Sequence, residues 1–150
     1  MNFSILWSVI VAIEITNEME ELVNGALSDG FPCVLGTASL NGDPNLSFKG
    51  SMMVISSNEL AFWERARKGG FAQLISNPKV AVLFRNSIHR KAWRFYGDAV
   101  VHESGEIREK VMSRTVQAEL DRDPERLGAA VIIKINRITT LGGETIQEAE

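Results

Sequence analysis

Residues 33–55 read CVLGTASLNGDPNLSFKGSMMVI, and the punctuation of this stretch decides the fold class. Residues 33–40 are small, apolar and β-branched, the composition of a strand. Asn41 and Gly42 then give a strong reversal signal, because both accept the left-handed backbone of a tight hairpin turn. Pro44 begins the return path, and NLSFKGSMMVI forms the second arm of the expected hairpin.

Working outward, residues 18–27 place Met19, Leu22, Val23, Ala26 and Leu27 at helical spacing, with Thr16 or Asn17 available as a cap. Asp29 and Gly30 end this helix, and Pro32 discourages its continuation. On the other side, Asn58-Glu59 makes a turn before a short strand at 60–63. ERARKGG leads into a helix over 71–75 that stops near Asn77-Pro78. KVAVLFR (79–85) and KAWRFYGDAVV (91–101) read as two more strands, with Gly97 marking a bulge, a close backbone approach or a simple bend. Residues 106–119 carry Ile107, Val111 and Met112 on one helical face, and Asp123-Pro124 reads as a further helix start. AAVIIKINRI (129–138) is a final long strand, and Gly142-Gly143 turns the chain into a polar tail. Hairpins dominate, which favours a mainly β, antiparallel barrel over a doubly wound sheet. The organisation expected is an apolar arm at 1–15, one barrel domain at 16–140 and a tail at 141–150.

The bulk properties narrow the partners. A chain of 150 residues with 45% hydrophobic side chains has the material for one core. Sixteen basic against nineteen acidic residues leave a net charge of -3, which argues against a nucleic-acid partner. Cys33 is the single cysteine, so an internal disulfide is impossible and a cysteine-built metal site is not expected; it reads as a half-buried strand residue. The stretch FSILWSVIVAIEI (3–15) falls short of the roughly 20 apolar residues of a spanning helix. No Lys or Arg precedes it, so the flank of a signal peptide is missing. The expectation is a cytoplasmic protein with an ordered arm and no membrane partner. A G-x-G-x-x-G fingerprint and a Walker loop are absent from the sequence.

The most suggestive chemical feature is RARKGG (65–70), placed just before a predicted helix. A phosphate at a helix start accepts the unpaired backbone N–H groups and is favoured by the positive helix end. Arg67 and Lys68 add charge-assisted bonds, and Gly69-Gly70 permit close backbone approach; a basic, solvated helix cap is the alternative. Lys49 can reach a phosphate or an electron-rich ring edge, or extend along the surface as an ordinary lysine. Trp63, Trp93 and Phe95 are core or dimer-interface rings in the first instance. Arg90, Lys91 and Arg94 form another basic group near a hairpin turn. His89 and His102 have no ligand pattern around them, the serines lack a nucleophile elbow, and no carboxylate pair announces glycoside hydrolysis. No catalytic side chain is assigned. The chain is better equipped to hold a cofactor that supplies the electron chemistry.

The order of CVLGTASLNGDPN, SFKGSMMVI, LAFWERARKGGFAQLISNPKVAVLF and RKAWRFYGDAVV resembles the pyridoxamine 5'-phosphate oxidase-like, FMN-binding split-barrel family, with weaker agreement in DPERLGAAVIIKINRI. The resemblance implies an antiparallel six- to seven-stranded split β-barrel with short flanking helices. It also implies a homodimer with FMN between the subunits, and a small or planar organic molecule as substrate. By resemblance, Arg67, Lys68 and Gly69 hold the phosphate, and Ser47, Lys49 and Met52 flank the flavin. Phe62 and Trp63 meet the flavin where the family uses backbone and a small hydroxyl, and Lys91, with Arg94 beyond it, lies on the strand that carries an Arg-Gln pair in the oxidase. The departures argue against vitamin B6 oxidation: Ser47 replaces an Arg, Met52 a Lys and Ala92 the Gln. The basic loop is one residue longer, and ETIQEAE lacks the oxidase's Trp- and Arg-containing ending. A flavin-dependent oxidoreductase, a deazaflavin-dependent reductase and a non-catalytic flavin-binding or sensor protein all remain compatible.

Overall fold

The computed structural model describes residues 12–66 and 70–149. The expectations for residues 1–11 and for Arg67, Lys68 and Gly69 lie outside the described residues. Strands β1 (Cys33–Ala38), β2 (Pro44–Lys49), β3 (Met53–Ser56), β4 (Glu59–Glu64), β5 (Lys79–Asn86), β6 (Lys91–His102), β7 (Ala129–Thr139) and β8 (Thr145–Glu148) make one sheet. The order is β2-β1-β5-β6-β7-β4-β3, with β8 on the far half of β7, and all pairings are antiparallel. Helices α1 (Asn17–Asn24), α2 (Gly70–Ser76), α3 (Glu106–Arg114) and α4 (Gln117–Leu120) flank it.

The sheet curls on itself. β2 and β4 stand five places apart in the strand order, which in a flat sheet is roughly 24 Å at the usual strand spacing. Yet Lys49 Nζ on β2 lies 2.6 Å from Glu64 Oε2 on β4. The enclosed core confirms the closure: Cys33 and Leu35 of β1 pack in one cluster with Leu60 and Phe62 of β4, Val82 and Phe84 of β5, Phe95 of β6 and Ile133 of β7. Because side chains alternate across a strand, the odd neighbours of β4 point the other way. Ala61 and Trp63 join Met53, Ala130, Ile132, Val111 and Leu120 in a second apolar layer. Val111 of α3 and Leu120 of α4 bring both helices onto this outer layer.

Several local expectations hold for stated reasons. The Thr16 hydroxyl accepts from the Met19 N–H at 3.1 Å and starts α1. Gly42 adopts φ +88 in the β1–β2 turn, and the β1–β2 register runs from Cys33 opposite Lys49 to Ala38 opposite Pro44. Gly97 is both a bulge and a close approach: the β6–β7 register shifts between Tyr96 and Gly97, and an added Cβ would strike the Lys134 carbonyl.

Four expectations are corrected. NLSFKGSMMVI is not one strand; it breaks at Gly50–Met52, and its second half pairs with β4 rather than with β1. Asp123-Pro124 opens no helix, because the Asp123 carboxylate accepts from the N–H groups of Leu127 and Gly128 and closes a loop instead. The region 106–119 is two helices, parted where Thr115 turns extended at ψ 137. The tail after Gly143 adds an eighth strand, one beyond the expected number.

Candidate functional site

The sites of interest converge where β2 and β4 end. Here a cleft of about 440 Å³ is lined by Phe48, Lys49, Ser51, Trp63, Glu64, Arg65 and Ala66, with α4 supplying Glu119 and the following Arg122. This is within the size range of small-molecule sites. Its floor follows from strand alternation. Lys49 is on the same face of β2 as Ser47, and Glu64 on the same face of β4 as Phe62. The Lys49 ammonium stands 5.3 Å from the centre of the Phe62 ring, which is fully buried beneath it. With side chains 16% and 6% exposed, the Lys49–Glu64 pair is largely withdrawn from water. Its survival there rests on mutual neutralisation. The Glu64 Oε1 also receives the Ala66 N–H at 3.4 Å, and Arg65 pairs with Glu119 at 3.3 Å. Three cations therefore face two carboxylates, and Arg122 has no ion-pair partner among the described residues.

Ser51 meets β4 just before β3 begins. Its hydroxyl accepts from the Trp63 N–H at 2.9 Å and donates to the Trp63 carbonyl at 3.2 Å. The Trp63 ring turns to the outer layer. Its indole N–H donates to Asp123 Oδ2 at 2.9 Å, and the Arg108 guanidinium stacks 4.8 Å from its ring. Burial pushes the Asp123 carboxyl up. The Leu127 N–H, the Trp63 indole, the Gly128 N–H and the charge of Arg126 outweigh that and hold it below its ordinary value of 3.8.

The sequence-derived residues are only partly brought together. Lys49, Phe62 and Trp63 belong to the cleft or its walls, although the Trp63 side chain is engaged elsewhere. Ser47 lies two positions up β2, half-buried on the Lys49 face and opposite Leu35. Met52 is 4% exposed and packs into the barrel core. Arg67, Lys68 and Gly69 are outside the described residues, but Ala66 at the root of their loop lines the cleft. Lys91 and Arg94 stand apart from it. Lys91 opens β6 and pairs with Glu18 at 3.2 Å, and Arg94 sits on the outer face of the sheet opposite Leu83 and Thr139. His102 borders a separate hollow of about 380 Å³ on the outer face. Among the described residues no group of three His, Cys, Asp or Glu could hold a metal, and no helix is long and apolar enough to cross a membrane.

Sequence reasoning missed Ser51, Glu64, Glu119 and Arg122. Glu64 was findable, since it follows Phe62 at the strand period of two. Glu119 and Arg122 carried no local signal, because only the docking of α4 brings them to the cleft.

Comparison with known proteins places this architecture. Residues 15–140 match the family model described as pyridoxamine 5'-phosphate oxidase. The chain therefore belongs to the pyridoxamine 5'-phosphate oxidase-like split-barrel family. Among solved structures it is similar to HupZ of Group A Streptococcus, at 23% identity and TM-score 0.68, covering 91% of this chain and 99% of that one. An FMN-binding protein from Syntrophomonas wolfei is 16% identical with TM-score 0.66, covering 83% and 86%. A structure described as an F420 reductase is 14% identical with TM-score 0.60, covering 80% and 94%. No curated protein matches the chain.

Proposed function

We propose that this chain is an FMN-binding oxidoreductase that acts as a homodimer on a small or planar organic substrate. The observation that carries the reading is the cleft at the ends of β2 and β4. Among the described residues it has a net excess of one cation over its carboxylates, and it opens at the root of the RARKGG segment. An anion at this place meets Arg122, and Arg67 and Lys68 follow Ala66 in the sequence as further cations for it. Phe48, Lys49 and the Trp63 backbone then border the rest of the ligand. FMN bound there would supply the electron transfer; the protein's part is to hold the phosphate, orient the ring system and exclude water.

The dimer is supported by the outer face of β2. Leu46 is 75% and Phe48 72% exposed, beside the half-buried Val34, Gly36 and Leu83 of the neighbouring strands. An apolar face of this kind favours a covering partner. Phe48 also lines the cleft, so a second copy seated on this face would add a wall to the cofactor site. The substrate proposed is not pyridoxamine phosphate, because Met52, at a lysine position of the oxidase, is buried in the core.

The test is the absorbance spectrum and mass of the small molecule released from freshly purified protein, followed by titration with FMN, riboflavin and a deazaflavin. A flavin spectrum with FMN bound more tightly than riboflavin is expected. Preference for the deazaflavin, or no spectral change with FMN, would overturn the reading.

A further inference from the structure

The Lys49–Glu64 pair has an effect opposite to that of the other cleft cations. Glu64 is the last residue of β4, so its carboxylate stands at the entrance to the basic loop. There it binds Lys49 Nζ at 2.6 Å through Oε2 and takes the Ala66 N–H at 3.4 Å through Oε1. Both groups are largely buried. A carboxylate in this position repels an incoming anion, and it also withdraws the nearest ammonium from anion binding. Arg65 is likewise engaged by Glu119.

We propose that Glu64 is a specificity-determining residue, which holds Lys49 in an internal ion pair and so lowers the affinity of the cleft for phosphoanions. The pair presents one acceptor and one donor to a neutral hydrogen-bonding edge of the ligand, and the ligand's anionic group is directed to Arg122. This rests on the reading of the cleft as a phosphate-ligand site, and it deepens that reading by naming what the cleft selects. A ligand with one terminal phosphate and an uncharged polar ring edge fits. One with a second anionic group at the Lys49 end is disfavoured.

The experiment uses inorganic pyrophosphate as the probe, followed by calorimetry, so that no ring system enters the result. Glu64→Gln keeps the shape and the acceptor for Ala66 while removing the charge. It is expected to bind pyrophosphate about tenfold more tightly than the wild type, the order of effect for one unit charge removed beside an anion in a half-exposed cleft. Glu64→Ala should show the same direction, with circular dichroism confirming that each variant is folded. Adding Lys49→Met to Glu64→Gln should return the affinity to about the wild-type level, since the gain comes from the freed ammonium. No gain in either Glu64 variant overturns the proposal, and so does a gain that persists without Lys49. Absence of FMN binding with the pyrophosphate result intact would count against the flavin reading and not against this one.

Discussion

Replacing Asp123 tests how the loop after α4 supports the cleft from behind. Its carboxylate accepts three N–H groups, from the Trp63 indole, Leu127 and Gly128, each at 2.9 Å. Asp123→Ala leaves the Trp63 indole N–H buried without this acceptor and removes the same acceptor from the Gly128 and Leu127 N–H groups. With about 1–3 kcal/mol for the stranded indole and about 1 kcal/mol for each of the other two lost bonds, the expected loss is about 3–5 kcal/mol. That is a large share of the roughly 5–15 kcal/mol that holds a typical domain together. Asp123→Asn keeps one acceptor oxygen but loses the charge assistance, and should cost about 1–2 kcal/mol. Urea unfolding followed by far-ultraviolet circular dichroism measures both. The pH dependence has a definite sign. The folded carboxyl lies below its ordinary 3.8, so its ionised form contributes fully above that pH, and the contribution is lost as pH falls through the folded value. The gap between wild type and Asp123→Asn should therefore stay constant near neutrality and narrow only below pH 3.8. An Asp123→Ala variant within about 1 kcal/mol of wild type would refute the reasoning. A gap that widens toward acid would refute it too.

Three further outcomes follow from other parts of the fold. Burial pushes the Cys33 thiol up to about 12, so iodoacetamide at pH 8 should leave it unlabelled in the folded protein and label it in urea; rapid labelling without denaturant would contradict its placement. Gly97→Ala would drive a methyl into the Lys134 carbonyl across the β6–β7 bulge. Its expected cost is about 1–3 kcal/mol, because backbone on both sides resists the shift; an unchanged melting temperature would show that the bulge yields. Phe48→Lys with Leu46→Lys should give a folded monomer by sedimentation, and a dimer that survives both changes would place the interface elsewhere.

Much of the barrel was legible locally. Asn41-Gly42, the alternation in β5 and β6, and the long apolar run of β7 are signals within one strand or one turn. They were enough to place β1, β5, β6 and β7 and to carry the resemblance to the family that the match over residues 15–140 shows. The break at Gly50–Met52 was not legible, because SFKGSMMVI has strand composition throughout. The break comes from the exchange of partners, β1 for the first half and β4 for the second. The loop at Asp123 was misread for a related reason. An Asp-Pro pair caps many helices, but here the carboxylate is claimed by Trp63, 60 positions earlier in the chain.

The sequence by itself determined which residues alternate toward a core, where the chain reverses and where a basic segment precedes a helix. All of these are set by the backbone preferences and polarity of neighbours. Only the tertiary structure decided which charges meet. Curling brings β2 against β4, across a distance no local pattern encodes, and so Lys49 finds Glu64. The docking of α4 brings Glu119 and Arg122 to the same cleft. The basic segment was visible in the sequence; the pairing of Lys49 with Glu64 and of Arg65 with Glu119 beside it was decided by the fold.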